Sequence, residues 1–203
     1  MNSYSDTSPG PSNTEAGSDT LSAEERAILL ETARRSILHG LERGRPLPID
    51  LSRYPESLRV KRATFVTLHI HGHLRGCIGT LEAVRPLVED VASNAWAAAF
   101  SDPRFPPLAR SELDSIQIEI SVLSPPQPMA FHSEADLIRQ IRPGMDGLIL
   151  EERGHRGTFL PSVWESLPEP GDFLRHLKQK AGLPPDYWSD TIKVYRYTTE
   201  SFR

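Results

Sequence analysis

The sequence predicts an α+β fold with mixed, mainly antiparallel sheets and flanking helices. Strand-like runs occur as hairpins with short turns, and helices separate them without the regular strand–helix–strand rhythm of a doubly wound sheet. No repeat at a fixed period appears. With 203 residues, 38% of them hydrophobic and 25% charged, the chain is long enough for one substantial domain or two small lobes.

The N-terminal segment 1–20 is predicted to be a disordered tail ahead of a folded domain over 21–203. It has no branched aliphatic residue, so it cannot bury enough surface to offset its ordering entropy. After it, Ser22 and Glu25 have the spacing of a capping box and predict a helix start. The predicted buried stripe of this helix is Ala27, Leu30, Ala33, Ile37 and Leu41.

The central prediction is a hairpin with arms over 64–70 and 74–78, joined by a turn at Gly72. The first arm is rich in β-branched and aromatic residues. The second arm carries the only cysteine of the sequence, Cys77, between two glycines. Alternation along an extended strand places three residues of this stretch on one face: Arg75, Cys77 and Gly79.

The middle of the chain predicts one helix and one strand. Pro86 favours a helix start, because the missing amide costs nothing in the first turn. The expected buried positions of this helix are Leu87, Val91, Ala95 and Ala98. A proline-locked loop over 101–108 follows, and 115–123 predicts a strand with aliphatic residues on one face. Glu119 lies on the polar face, which lines either solvent or a cleft.

Shorter elements are predicted in the second half of the chain. They are a helix after Ser133, a hairpin with arms 147–152 and 157–160 and a turn over 153–156, a helical turn from Pro161, a helix capped by Asp172, and a strand over 191–199. Lys178 and Lys180, near the end of the Asp172 helix, are expected to complement the helix dipole.

Composition excludes several classes of protein. A single cysteine excludes an intramolecular disulfide and a cysteine-built zinc or iron–sulfur site within this chain, and it favours a reducing compartment. A net charge of -4 argues against a mainly electrostatic nucleic-acid binder. Neither a secretory signal nor a membrane-spanning segment is evident. We therefore expect a cytoplasmic protein without metal, cofactor, nucleic acid or membrane partner.

Cys77 has two interpretations from sequence alone. A lone cysteine is most often a small core residue. Arg75, two residues away, would instead favour the thiolate, the reactive form of a cysteine. A nucleophile also needs a base, and the candidates are His69, His71, His155 and His176.

Other candidate residues also have two interpretations. Asp102 and Arg104 lie in a rigid loop suited to ligand binding, or they form a salt-bridged corner. Glu119 is a general base or ligand anchor if its strand face is covered, or otherwise a solvated carboxylate. The H-x-H-x-H pattern from His69 to His73 has the spacing for a shared metal, but exposed strand histidines are the simpler interpretation.

Several stretches together resemble the AMMECR-type domain family, called protein A of the AmmeMemoRadiSam system in bacteria and archaea. The hallmark is Leu74-Arg75-Gly76-Cys77-Ile78-Gly79. The other matching segments are Phe65-Val66-Thr67-Leu68, Asp102-Pro103-Arg104-Phe105-Pro106-Pro107-Leu108, Ile118-Glu119-Ile120-Ser121-Val122-Leu123, Gly144 with Asp146-Gly147-Leu148, Thr158-Phe159-Leu160-Pro161 and Lys180-Ala181-Gly182-Leu183.

The resemblance covers about 21–202 and implies a cytosolic protein of two intertwined lobes with the hallmark near a cleft between them. It also implies association with a Memo-type protein and a radical SAM enzyme. It gathers five candidate residues into one site without assigning their roles: Arg75, Cys77, Asp102, Arg104 and Glu119. Our own prediction assigns Cys77 and Glu119 to catalysis, and Arg75, Gly76, Gly79, Asp102 and Arg104 to substrate binding.

Two functions follow as hypotheses. In the first, the protein is an enzyme or covalent carrier in a modification pathway, with Cys77 as nucleophile and Arg75 and Arg104 orienting a small anionic substrate. In the second, it is a non-catalytic adaptor or ligand-binding protein whose cleft receives a metabolite or peptide.

Overall fold

The computed structural model describes residues 20–203 and contains eight strands and four α-helices in that part of the chain. The strands are β1 (Thr64–Ile70), β2 (His73–Gly79), β3 (Ile116–Leu123), β4 (Gln127–Pro128), β5 (Gly147–Glu152), β6 (His155–Phe159), β7 (Lys193–Tyr197) and β8 (Thr199–Phe202). The helices are α1 (Ala23–Arg43), α2 (Leu87–Phe100), α3 (Glu134–Gln140) and α4 (Pro170–Lys180). The predicted tail, except for Thr20, lies outside the described residues.

The strands form two antiparallel sheets, with orders β2-β1-β3-β8 and β4-β7-β5-β6. The α+β prediction is therefore confirmed. The predicted hairpins are also present, although the second has a two-residue turn at Arg153 and Gly154, so that its second arm begins at His155. Within residues 20–203, none of the helices combines the length and the apolar composition that a membrane span requires.

Helix α1 begins where the sequence predicts, with Ser22 and Glu25 forming the capping box and Gly44 ending the helix. The predicted stripe is confirmed at Ala33 and Ile37, whereas Leu30 and Leu41 are half-buried. Ala27 is exposed, and the buried residues are Leu29, Thr32, Ala33, Ser36, Ile37 and Gly40. Polar residues are tolerated inside because they find partners: the Ser36 hydroxyl donates to the Ala92 carbonyl at 2.6 Å.

Helices α1 and α2 cover one face of the first sheet. The aliphatic residues of β3 point into this layer, as their alternation predicts, and so do those of β1. Gly76 lets the backbone of β2 approach α2 closely. A Cβ atom there would lie 2.1 Å from the Ala98 carbonyl oxygen.

Helices α3 and α4 cover the outer face of the second sheet. Helix α4 begins at Pro170, so Asp172 lies in its first turn instead of capping it. Lys178 and Lys180 lie in the last turn of α4, as predicted. The Lys178 side chain is nevertheless 0% exposed, and its ammonium lies 2.5 Å from Glu134 Oε1. Helix α3 packs on α4 and places the Glu134 carboxylate next to Lys178. The sequence of α4 alone does not indicate this partner.

The strand predicted over 191–199 is in fact two strands that belong to different sheets. The break falls at Thr198, whose N–H donates to Ser124 Oγ at 2.9 Å and whose carbonyl accepts from the Ser124 N–H at 2.9 Å. Ser124 is where the chain leaves the first sheet. Residues 125–197 thus form a second lobe inserted into a first lobe made of 20–124 and 198–203.

The two sheets pack on each other at one end only. The contact is an apolar cluster whose buried members are Ala63, Leu123, Ile149 and Tyr197, with Phe65 and Leu160 against it. The structure therefore has four layers: helices, first sheet, second sheet, helices. Beyond this cluster the uncovered face of the first sheet lines an open space.

Candidate functional site

An inter-lobe cleft of about 910 Å³ lies beside the apolar cluster. Its floor is the uncovered face of the first sheet, and its opposite wall comes from Gly144 and 160–165 of the second lobe. The residues that line it are Phe65, Thr67, His69, Leu74, Cys77, Glu119, Ser121, Gly144, Leu160, Pro161, Ser162, Trp164, Glu165, Thr199, Ser201 and Arg203. The volume falls in the range of ligand sites.

Cys77, Thr67 and Glu119 form one row across the cleft floor. Thr67 of β1 pairs with Cys77 of β2 on one side and with Glu119 of β3 on the other. Residues directly opposite in a sheet share a face, so all three side chains lie on the cleft side. Both residues predicted for catalysis, Cys77 and Glu119, thus lie on one surface.

The Cys77 thiol is half-buried on this floor. The Thr67 hydroxyl donates to Cys77 Sγ at 3.2 Å. Among residues 20–203, the Thr67 hydroxyl is the one group hydrogen-bonded to this sulfur. His69, two residues after Thr67 in β1, also lines the cleft.

Arg75 does not share the cleft face with Cys77, which corrects the prediction from simple alternation. A β-bulge shifts the register, so that Gly76 pairs with Leu68 while Leu74 pairs with His69. Arg75 is the extra residue. Its Nε and Nη2 donate to the Glu112 carboxylate at 2.7 and 3.0 Å.

The Arg75 guanidinium is therefore engaged outside the cleft. Its side chain is 12% exposed, and the guanidinium also faces the Phe105 ring at 5.9 Å. The hydrogen bonds from Arg75 and from the Ala109 N–H lower the pKa of the Glu112 carboxyl. Arg75 thus joins β2 to the helical turn Arg110–Ser115.

Asp102 and Arg104 contact the backbone of Cys77 at the outer edge of β2. Asp102 Oδ2 accepts from the Cys77 N–H at 2.9 Å, and Arg104 Nη2 donates to the Cys77 carbonyl at 3.3 Å. The two side chains also form an ion pair at 2.7 Å. The hydrogen bonds from Arg104 hold the pKa of the Asp102 carboxyl far below its usual range.

Glu119 lies at the other end of the row, where it forms an ion pair with Arg203. Beside it, the hydroxyls of Ser121 and Ser201 lie 2.8 Å apart. This end of the floor therefore carries one carboxylate, one guanidinium and two hydroxyls. Of the two alternatives for the polar face of β3, the cleft applies to Glu119 and Ser121, whereas Gln117 is exposed and does not line the cleft.

The two glycines of the hallmark serve packing contacts. Gly76 faces α2, as described above. At Gly79, a Cβ atom would lie 2.3 Å from the Phe65 ring. Neither glycine lines the cleft.

The histidines are spread over several surfaces. His69 lines the cleft, His71 lies in the β1–β2 turn with a φ of 50°, and His73 is exposed. His155 Nδ1 lies 3.1 Å from the Ala181 carbonyl and His176 Nδ1 2.8 Å from that of Asp172, both in the second lobe. No group of three or more His, Cys, Asp or Glu residues within 20–203 could hold a metal ion.

Sequence reasoning missed the hydroxyl groups of the floor and the opposite wall. Alternation along β1 predicts which residues share a face with Thr67. It does not predict which face meets the cleft, because that depends on where the helices and the second lobe pack. Thr199 and Ser201 were missed because the last strand was not divided. Ser162 and Glu165 come from the predicted helical turn of the second lobe, Pro161–Glu165, and no local pattern indicates where that turn packs.

A second groove, of about 640 Å³, lies between α1 and β3. Its lining combines aliphatic side chains such as Leu30 and Ile118 with exposed charges, and it has neither a thiol nor a hydroxyl. The inter-lobe cleft is the better candidate because polar groups converge there with a half-buried sulfur.

Fold and site together define a class: a two-lobed α+β protein whose inter-lobe cleft presents a thiol and several hydroxyls. The sequence model of the AMMECR1 family matches residues 30–202. The chain belongs to the AMMECR1 family, as the hallmark segment predicts.

Archaeal relatives match nearly the whole chain. A protein of Methanothermobacter thermautotrophicus is 42% identical over 190 residues, which cover 90% of this chain and 95% of the relative. A protein of Methanocaldococcus jannaschii is 38% identical over 190 residues, covering 90% and 91%. The crystal structure of an uncharacterized protein from Pyrococcus horikoshii is similar, with a TM-score of 0.75 and 38% identity over 86% of this chain and 88% of that chain.

Proposed function

We propose that the protein binds a small polar ligand in the inter-lobe cleft and that Cys77 Sγ forms a covalent bond to it. The observation that carries this proposal is the single row of Cys77, Thr67 and Glu119 on the floor of the cleft. Two strand spacings separate the thiol from the carboxylate, a distance of roughly 10 Å. A metabolite or a short peptide segment can span that distance and contact both ends.

This geometry favours a division of roles between the two ends. Glu119 lies too far from the sulfur to take its proton directly, so it serves as a ligand anchor together with Ser121 and Ser201. Cys77 supplies the nucleophile. Sγ bonds to an electrophilic carbon of the ligand, and the thiol proton leaves with the displaced group, so no oxidant or reductant is needed.

The charge of the ligand is constrained by the pairing of the arginines. Arg75 and Arg104 were expected to orient an anionic substrate, but their guanidiniums are engaged with Glu112 and Asp102 at the edge of β2. Within the cleft, Arg203 is the cationic lining residue. An anionic group of the ligand would therefore bind at the Arg203 end, where it competes with Glu119.

The second candidate is a non-catalytic ligand-binding or adaptor protein that uses the same cleft. It is favoured by the surroundings of Sγ, where among residues 20–203 a threonine hydroxyl is recorded as hydrogen-bonded to the sulfur and no histidine or lysine is. In that case Cys77 contacts the ligand without reacting.

Intact-protein mass spectrometry distinguishes the two candidates. The protein and its Cys77→Ser variant are incubated with a panel of metabolites and of acyl thioesters of N-acetylcysteamine, and thermal shifts are recorded in parallel. A mass adduct on Cys77 that the variant lacks supports the covalent function. Equal thermal shifts in both proteins without any adduct support binding alone.

We further propose, on the resemblance alone, that the protein acts in the cytoplasm in a modification pathway with a Memo-type protein and a radical SAM enzyme. The radical SAM partner would supply the cluster chemistry that one cysteine cannot. Co-purification of the tagged chain with these two proteins tests the association, and a stable complex should survive Cys77→Ser.

A further inference from the structure

We propose that Asp102 and Arg104 are positioning residues that hold the Cys77 backbone in place and thereby direct Sγ into the cleft. This inference rests on the proposed function, because it concerns the geometry of the reacting thiol. It assigns the two residues a role other than binding of substrate.

The starting point is that β2 is an edge strand of the first sheet. An edge strand has alternate N–H and C=O groups without a neighbouring strand. At Cys77 both groups point away from β1, and Asp102 and Arg104 bind them. An acidic and a basic side chain thus replace a paired strand at the residue that carries the thiol.

The carboxylate that makes this contact is buried and its charge is compensated. The Asp102 side chain is 2% exposed. It also accepts from the Arg104 backbone N–H at 3.1 Å and from Arg104 Nε at 3.0 Å. Because its oxygens are engaged in this way, Asp102 binds the backbone of this chain and not a ligand in the cleft.

We call the contacts of Asp102 and Arg104 with the Cys77 backbone the clamp. Both β2 and the loop that carries the clamp pack on the end of α2. Gly76 packs on the Ala98 carbonyl near the end of α2. The Asp102 loop leaves this same helix end and returns to it, since the Leu108 N–H donates to the Ala99 carbonyl at 2.8 Å. The peptide of Cys77 is therefore fixed between α2 and the loop, which fixes the direction of its Cα–Cβ bond. The Thr67 hydroxyl contacts Sγ on the cleft side.

The test compares two reactions of Cys77 in variants of the full chain. Iodoacetamide alkylates any accessible thiol. The acetyl thioester of N-acetylcysteamine requires an oriented attack, in which the Sγ–C bond forms, the C–S bond of the probe breaks, and N-acetylcysteamine leaves as the thiol with the proton of Cys77. The ratio of the two second-order rates reports the orientation of Sγ, and amide hydrogen exchange at Cys77 reports the clamp.

In Asp102→Ala, we expect the ratio to fall about tenfold or more, because small misplacements of a reacting group are costly. The Cys77 amide should exchange faster. Asp102→Asn retains an oxygen acceptor for this amide and should lie between Asp102→Ala and the wild type. The matched control is Asp146→Ala, which breaks another buried Asp–Arg pair, with Arg142 at 2.7 Å in the second lobe. It should lower the melting temperature but leave the ratio unchanged.

The proposal is overturned if Asp102→Ala shows the same ratio and the same Cys77 amide exchange as Asp146→Ala. Should Asp102→Ala fail to fold, Arg104→Ala provides the test, because this side chain is 54% exposed and bonds the Cys77 carbonyl. If the wild type resists the thioester altogether, the covalent function fails, whereas amide exchange still decides whether the clamp exists.

Discussion

Cys77 and Glu119 lie on opposite sides of Thr67 in a single cross-strand row, and all three line the inter-lobe cleft. Neither end of the row can reach the other directly. The arrangement makes chemical sense if a ligand lies between them, with the thiol at one end and the carboxylate, guanidinium and hydroxyl groups at the other.

Gly76→Ala should destabilise the fold, because the added Cβ atom would lie 2.1 Å from the Ala98 carbonyl oxygen. Backbone crowding of this kind cannot be relieved by a rotamer change. We expect a loss of roughly 1–3 kcal/mol in the free energy of unfolding, measured by urea denaturation. Gly171→Ala is the control, because nothing lies within 4 Å of its Cβ position. An equal effect of both substitutions would refute the packing role of Gly76.

Ser124→Ala should destabilise the crossing between the two sheets. It removes the oxygen that accepts from the Thr198 N–H, and leaving a donor without its partner costs about 1–3 kcal/mol. The matched variant is Ser121→Ala, three residues away, whose hydroxyl meets that of Ser201 in the open cleft. Its effect should stay within about 0.5 kcal/mol. Similar melting temperatures for the two variants would contradict this account of the crossing.

Substitution of Glu134 should lower the free energy of unfolding more than substitution of Lys178. Glu134→Gln removes the charge that compensates a fully buried ammonium and should cost roughly 1–3 kcal/mol in unfolding free energy. Lys178→Met keeps most of the volume and removes the buried charge, so it should be tolerated better. Chemical denaturation of both variants measures which of the two loses more unfolding free energy. A greater loss for Lys178→Met would show that the ion pair itself is strongly stabilising.

Stability should depend on the ionisation of Asp102. Its pKa in the folded protein lies below the unfolded value of about 3.9, so folding favours the carboxylate. The contribution is complete above the unfolded pKa and is lost as the pH falls through the folded pKa. The difference in unfolding free energy between wild type and Asp102→Asn should therefore shrink from about pH 5 to pH 2. A difference that is constant over this interval would exclude the linkage.

Local chemistry in the sequence was sufficient to predict several elements. The capping box of Ser22 and the alternation of β3 determine their elements through contacts within a few residues, so those predictions are confirmed. The burial of Lys178 and the split at Thr198 depend on partners far along the chain, Glu134 and Ser124. No local pattern contains that information.

In the candidate site, too, local sequence patterns predicted some features, and contacts with distant parts of the chain determine the others. Alternation placed Glu119 on a polar face, and the hallmark drew attention to Cys77. Alternation failed at Arg75, because a bulge adds one residue to β2 and turns its side chain toward Glu112. The wall around Ser162 depends on how the second lobe packs on the first, and this is set by the apolar cluster between the sheets.

The central claim is that Cys77 reacts with molecules that enter the inter-lobe cleft. The most direct test is the rate at which the acetyl thioester of N-acetylcysteamine acylates Cys77. The rate is measured in two variants that introduce a tryptophan, one within the helical turn Pro161–Glu165 and one directly after it. Both serines are exposed, but Ser162 lines the cleft and Ser166 does not. We predict that Ser162→Trp slows acylation about tenfold or more, since it obstructs the approach to Sγ, and that Ser166→Trp reacts at the wild-type rate. Equal rates in the two variants would contradict the assignment of the cleft as the functional site.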